Sequence, residues 1–191
     1  MPPFPYNVAM KYLKIQELVE LKRAVTVTPK YPPYDTALGF AIGISEEMIL
    51  LHEIVEFHLA GYSAMPIEEI RNVRSKKAER TVERIFQAEG WLPKVGIDPM
   101  PPLNDWPDLF RFLRDQKKMV QVEFFDTPEP GYTDEAFVVG KITGLSNRSV
   151  AVMNFDHSGT WDSETTVIGY DKIKRLRWDT EYINVFSKYL P

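Results

Sequence analysis

Two stretches of this chain, far apart in sequence, carry one pattern written twice. Gly39–Ile54 (GFAIGISEEMILLHEI) and Gly140–Phe155 (GKITGLSNRSVAVMNF) align without a gap. Gly39 meets Gly140, Gly43 meets Gly144 and Ser45 meets Ser146. Apolar residues meet apolar ones at Ala41/Ile142, Ile44/Leu145, Ile49/Val150 and Leu51/Val152. The flanks match in the same order: KRAVTV from Lys22 against KKMVQV from Lys117, and IEEIRNVR from Ile67 against YDKIKRLR from Tyr170. Three collinear blocks imply one supersecondary unit encoded twice, and that bounds the fold more tightly than composition does.

Each copy opens with a helical stretch. In the first, Val8, Tyr12, Ile15 and Val19 recur at helical spacing behind Asn7 as N-cap. In the second, Leu109, Phe110 and Leu113 follow Asp105 and Pro107. Five strand-like runs come next. The first copy places them near Ala24–Thr28, Leu38–Ser45, Met48–Ile54, Gly61–Pro66 and Ile70–Arg74. The second places them near Met119–Phe125, Ala136–Leu145, Ser149–Phe155, Thr165–Gly169 and Ile173–Trp178. Pro29, Pro32 and Pro33 break the first copy, and Pro128, Pro130 and Gly131 break the second. Gly43 and Gly144 fall inside strands, where glycine marks a bulge that bends a sheet over its own core. Tight turns at Glu46-Glu47 and Asn147-Arg148 join the second and third strands, with Asn147 suited to positive φ. A helix closes each copy: Ser75 caps Ala78, Val82, Ile85 and Phe86 up to Gly90, and Asp179 or Thr180 caps Tyr182, Ile183, Phe186 and Tyr189.

The expected fold is mainly β with flanking helices: two tandem five-stranded small barrels, each with an N-terminal and a C-terminal helix. The first occupies 1–92, a proline-rich linker 93–106, and the second 107–191. The linker, bracketed by Trp91 and Trp106, reads as a stiff extended connector.

The chain has 191 residues and no cysteine, which excludes disulfides, thiolate catalysis and cysteine zinc sites. Absent disulfides and a start (MPPFPYNVAMKYLK) without a basic n-region and apolar h-region point to the cytoplasm. The net charge of −4 is shared evenly by the halves, so neither is a basic module.

The helix-plus-five-strand order, with GFAIGISEEMILL and GKITGLSNRSVAV as its centre, resembles the Sm/LSm and SH3-like small-barrel class. The tandem arrangement, with FHLAGYSAMPIEEIRNVR and GTWDSETTVIGYDKIKRLRW, is similar to an uncharacterised bacterial family with Sm-like barrels. The resemblance spans most of the chain and implies a fold, not an activity. Sm proteins read RNA with an Asp and an Asn around strands two and three and an Arg-Gly before strand five. Ser45 and Ser146 stand at the Asp position, Ile49 and Val150 at the Asn position, and Met65-Pro66 and Ile168-Gly169 before the last strands. The RNA-reading residues therefore do not transfer.

Five candidate sites remain. His52, Glu53, Glu56 and His58 offer metal-ligand chemistry, although His52 and His58 would sit ~20 Å apart on a straight strand. Asp156 and His157, with Asp162 and Glu164, sit at the matching place in copy two. Trp161, in the loop FDHSGTWDSE, is a candidate partner anchor. Lys172, Lys174, Arg175 and Arg177 form a basic strip, with Lys172 and Lys174 on one face, Ile173 inward and Tyr170 and Trp178 able to stack on bases. Arg71, Arg74, Lys76 and Lys77 are its counterpart in copy one. No G-x-S-x-G, P-loop or dinucleotide turn is present, the three histidines form no triad, and no cofactor is implied. The expected role is a protein-interaction or oligomeric scaffold module that pairs with itself through strand edges. The alternatives are an RNA-binding Sm-like protein with non-standard residues and a small metal-dependent hydrolase.

Overall fold

The computed structural model describes residues 6–30, 35–129 and 132–191, and side chains over 12–30, 35–125 and 136–191. The breakers Pro32, Pro33, Pro130 and Gly131 lie outside the described residues. The chain is mainly β, with ten strands and four α-helices among the described residues. It divides into two compact units, Met1–Ala60 with Ala64–Leu103, and Gly61–Ser63 with Asn104–Pro191.

In the first unit α1 (Tyr6–Glu20) leads into β1 (Ala24–Pro29), β2 (Ala37–Ile44), β3 (Met48–Val55), β4 (His58–Pro66, whose middle residues Gly61–Ser63 belong to the second unit) and β5 (Ile70–Arg74), and α2 (Lys77–Ala88) follows. In the second, α3 (Trp106–Asp115) precedes β6 (Met119–Glu129), β7 (Tyr132–Leu145), β8 (Ser149–Asn154), β9 (Thr166–Gly169) and β10 (Ile173–Trp178), and α4 (Glu181–Phe186) closes it. The strand orders are β5-β1-β2-β3-β4 and β10-β6-β7-β8-β9. The paired strands run antiparallel. Among the described residues no pairing of β4 with β5, or of β9 with β10, closes either order into a ring.

The repeat holds at the level of individual hydrogen-bonded registers. Val25 opposes Gly39 as Val120 opposes Gly140. Gly39, Ala41, Gly43 and Ile44 oppose Glu53, Leu51, Leu50 and Ile49; their counterparts Gly140, Ile142, Gly144 and Leu145 oppose Asn154, Val152, Ala151 and Val150. The register slips at the same place in both hairpins, before Gly43 and before Gly144, which is the expected bulge.

Only three positions of the aligned sixteen-residue hairpins are identical, and each serves the backbone. A Cβ on Gly39 would lie 2.7 Å from the His52 carbonyl oxygen, and one on Gly140 would overlap the equivalent Met153 oxygen. Gly43 and Gly144 are the bulges. The hydroxyls of Ser45 and Ser146 accept from the backbone N–H groups two and three residues on, closing the tight turns. These hydroxyls do the work assigned above to a positive φ at Asn147, which is not among the left-handed residues.

In each unit both helices pack on strands. α1 packs on β2, and Ile15 is buried with Val25, Val27, Ala41, Ile49, Leu51 and Val73. α2 packs on β1, with Phe86 edge-on to Phe40 at 5.2 Å. α3 packs on β7 and β8, burying Leu109, Phe110 and Leu113. α4 packs on β6. Fully burying one such side chain is worth about 1.5–3 kcal/mol, so the helices are integral to each unit. Two caps differ from expectation: Asn7 lies inside α1, and α2 begins one residue later with Lys76 as N-cap. Of the two caps expected for α4, Thr180 is the one used, and the helix ends before Tyr189. The segment following α2 is not a plain extended connector. It makes a 3-10 turn at Leu92–Lys94 and buries Val95 and Leu103, and the Leu103 carbonyl accepts from the Ser45 hydroxyl.

Candidate interaction surface

Trp161 is placed by the loop that carries it. The Asp156 carboxylate accepts from the Ser158 hydroxyl at 2.6 Å and from the N–H groups of Ser158 and Thr160 at 2.8 and 2.9 Å, which hold its pKa below the usual value. Thr160 returns a carbonyl to the Asp156 N–H, and the loop then brings Trp161 into a β-bridge with Phe155. The acidic loop thus satisfies itself.

Trp161 is half-buried on its own unit. Its ring meets Phe155 edge-on at 5.7 Å, and Lys141 Nζ lies 4.3 Å from the ring centroid. Its indole N–H donates to the Pro191 carbonyl at 3.3 Å. Beneath it Val139, Phe155 and Ile183 form a small core against which Met119, Phe186 and Leu190 pack. Tyr182 stacks on Phe155 and remains 44 % exposed. This aromatic platform was only half legible in sequence. Trp161 stood out, but Lys141, Phe155 and the Leu190–Pro191 segment come to it through tertiary folding.

The basic strip is dispersed. Ile173 points inward as expected, but Lys172 ends a 3-10 turn (Tyr170–Lys172) and Lys174 sits where the β6–β10 register slips, so alternation fails there. Lys174 Nζ lies 4.6 Å from the centroid of the Phe125 ring. Arg175 is buried, and Arg177 pairs with Glu123 at 3.3 Å. Tyr170 stacks on Phe110 at 5.9 Å and donates to the Ser146 carbonyl; burial raises its pKa. Trp178 is fully buried and stacks with Tyr62. In copy one Arg74 is held by Glu79 at 2.9 Å.

The histidines are not assembled as ligands. Among the described residues no three His, Asp or Glu come together. His52 is buried in β3, its Nδ1 accepting from the Gly96 N–H at 3.2 Å, and burial lowers its pKa to about 4. Glu53 is buried beside it. His58 lies beyond a turn at Glu56 and Phe57, both with positive φ, and meets Trp91 edge-on at 5.8 Å. His157 is exposed in the Asp156 loop.

One buried charge escaped the sequence reading. Glu79 on α2 is 1 % exposed and accepts from the Thr26 hydroxyl at 2.6 Å, the Lys76 N–H at 2.7 Å and the Arg74 guanidinium at 3.0 Å. Burial alone would raise its pKa; these bonds outweigh that and hold it at about 2. A turn later Glu83 accepts from Arg23 and from the Ala24 N–H. Lys118, equivalent to Arg23 in the repeat, pairs with Asp179 at 2.7 Å before α4. Glu79, Glu83 and Lys118 latch trailing helices to sheets.

No helix among the described residues is long and apolar enough to cross a membrane. No family model matches the sequence, and no curated protein or solved structure matches it.

Proposed function

We propose that this chain is a protein-interaction module, two tandem units of the Sm-like small-barrel kind, that assembles with further copies of itself through sheet edges. The observation that carries the reading is β9. Among the described residues it has one strand neighbour, β8, and its Val167 side chain is 66 % exposed. An edge with unsatisfied backbone groups and an apolar side chain is a template for another strand. Among the described residues β5 also has a single neighbour, β1. It carries Arg71 and Arg74, whereas β9 lies between Glu164 and Asp171. Unlike edges favour a heterologous, head-to-tail contact, with β9 of one copy on β5 of the next, which closes into a ring or runs on as a filament.

The RNA and metal-hydrolase readings have less support. Arg177 and Tyr170 are engaged by Glu123, Phe110 and Ser146, and the turn serines bind backbone. Native mass spectrometry of the full chain tests the assembly reading. We expect oligomers at tens of micromolar, shifted to monomer by Val167→Lys, which charges the edge while leaving the buried face intact. A wild-type monomer, or a Val167→Lys oligomer unchanged in mass, would remove the proposal.

A further inference from the structure

The Trp161 platform already holds an occupant. Leu190 packs on the Phe155–Ile183 core and the Pro191 carbonyl accepts from the Trp161 indole N–H. The segment that supplies them is weakly tied. α4 ends at Phe186, and Tyr189 is 79 % exposed. Among the described residues its hold is Leu190, a Ser187 hydroxyl bond to the Asn184 carbonyl, the indole bond, and the N–H groups of Tyr189 and Leu190, which donate to the Phe186 carbonyl at 2.9 and 3.2 Å. Such a short segment, with little buried apolar area, opens at small cost.

From this seating we propose that the Trp161 platform exchanges its own Tyr189–Pro191 segment for the same segment of a second copy, so that two chains are linked by swapped segments. The occupant is argued from the structure itself: a sequence that fits the platform within one chain makes the same contacts when it comes from another. Swapping replaces each contact with an identical one, and only the linkage changes. The platform has the chemistry of a peptide anchor, with an aromatic floor of Phe155 and Tyr182, an indole donor for one carbonyl, and the Lys141 cation holding the indole from its face. The cis segment competes at an effective concentration of roughly millimolar, so exchange becomes extensive at chain concentrations of ~1 mM, or lower where another contact already joins two copies. This rests on self-association as the chain's role but not on the β9 edge.

The test is photo-crosslinking of the full chain carrying Trp161→p-benzoylphenylalanine, mixed from isotopically heavy and light preparations. At ~1 mM we expect heavy–light products joining position 161 to residues 189–191, in an amount comparable with same-isotope products and falling steeply on dilution to ~10 µM. Repeating it in Val167→Lys separates the two readings: loss of edge pairing must leave the ~1 mM heavy–light product in place. A second measurement leaves Trp161 intact. The amidated peptide Ser-Lys-Tyr-Leu-Pro is titrated into full-length Leu190→Gly and wild type while indole fluorescence is followed. We expect the opened variant to bind at least ~10-fold more tightly, with the response lost in Leu190→Gly/Trp161→Phe. Crosslinks confined to same-isotope products at ~1 mM, or equal peptide affinity for both chains, would overturn the proposal and make the segment a fixed part of the second unit.

Discussion

Lowering the pH should loosen the first unit through one buried imidazole before any carboxylate is involved. His52 is buried in β3, and its Nδ1 accepts from Gly96. Burial lowers its pKa from 6.5 to about 4. The unfolded chain therefore binds a proton below pH 6.5 that the folded chain refuses until about pH 4. The contribution is fully present above pH 6.5 and is lost as the pH falls toward 4. Within that window each pH unit removes about 1.4 kcal/mol, and the whole crossing about 3 kcal/mol. The comparison is His52→Asn, whose side-chain oxygen can stand where Nδ1 stands but does not titrate. Urea unfolding followed by far-UV circular dichroism at steps from pH 7 to 4.5 measures both chains, and the difference cancels everything the second unit contributes. At pH 7 the variant should be less stable by about 1–2 kcal/mol, from imperfect packing. By pH 4.5 the ordering should reverse, because the wild type alone has lost its His52 contribution. Curves that stay parallel from pH 6.5 to 4.5 would refute the reasoning and place the buried imidazole in contact with water or an acceptor for its charged form.

Two further outcomes follow from backbone and buried charge. Glu79→Ala should destabilise the first unit by about 3 kcal/mol in urea unfolding, since three donors lose their acceptor. It should also abolish the part of acid unfolding between pH 4.5 and about 2, where a depressed carboxylate is protonated and its contribution lost. Gly140→Ala should cost about 3 kcal/mol or more in thermal unfolding, because its Cβ overlaps the Met153 carbonyl, while Gly39→Ala, against His52 at 2.7 Å, should cost less.

The fold was legible where backbone demands repeat. Glycines at 43 and 144 marked the bulges, and the aligned apolar runs between breakers located the strands because those runs supply the buried positions of each unit. The starts of α1 and α2 were misjudged because Asn7 and Ser75 are both good caps by type, and only tertiary packing decides which residue starts the turn. The site was less legible. Lys172 and Lys174 looked like alternating strand residues, but a 3-10 turn and a register slip fall between them, and neither has a compositional signature. Glu79 looked like an ordinary helix-face charge, and its burial depends on Thr26 and Arg74, which local pattern cannot bring to it.

The identity of just Gly39/Gly140, Gly43/Gly144 and Ser45/Ser146 across two hairpins of one register has a consequence for how such a chain diverges. Conformation here is encoded by residues that contribute almost no side-chain surface. The remaining positions are free to drift in chemistry, even from apolar to charged, so one half can acquire a new surface while the other preserves the old. The equivalent positions Phe40 and Lys141 already differ in this way: one is a core aromatic, the other a cation on Trp161. Internal duplication of this kind gives one polypeptide two independent surfaces on a single architectural plan.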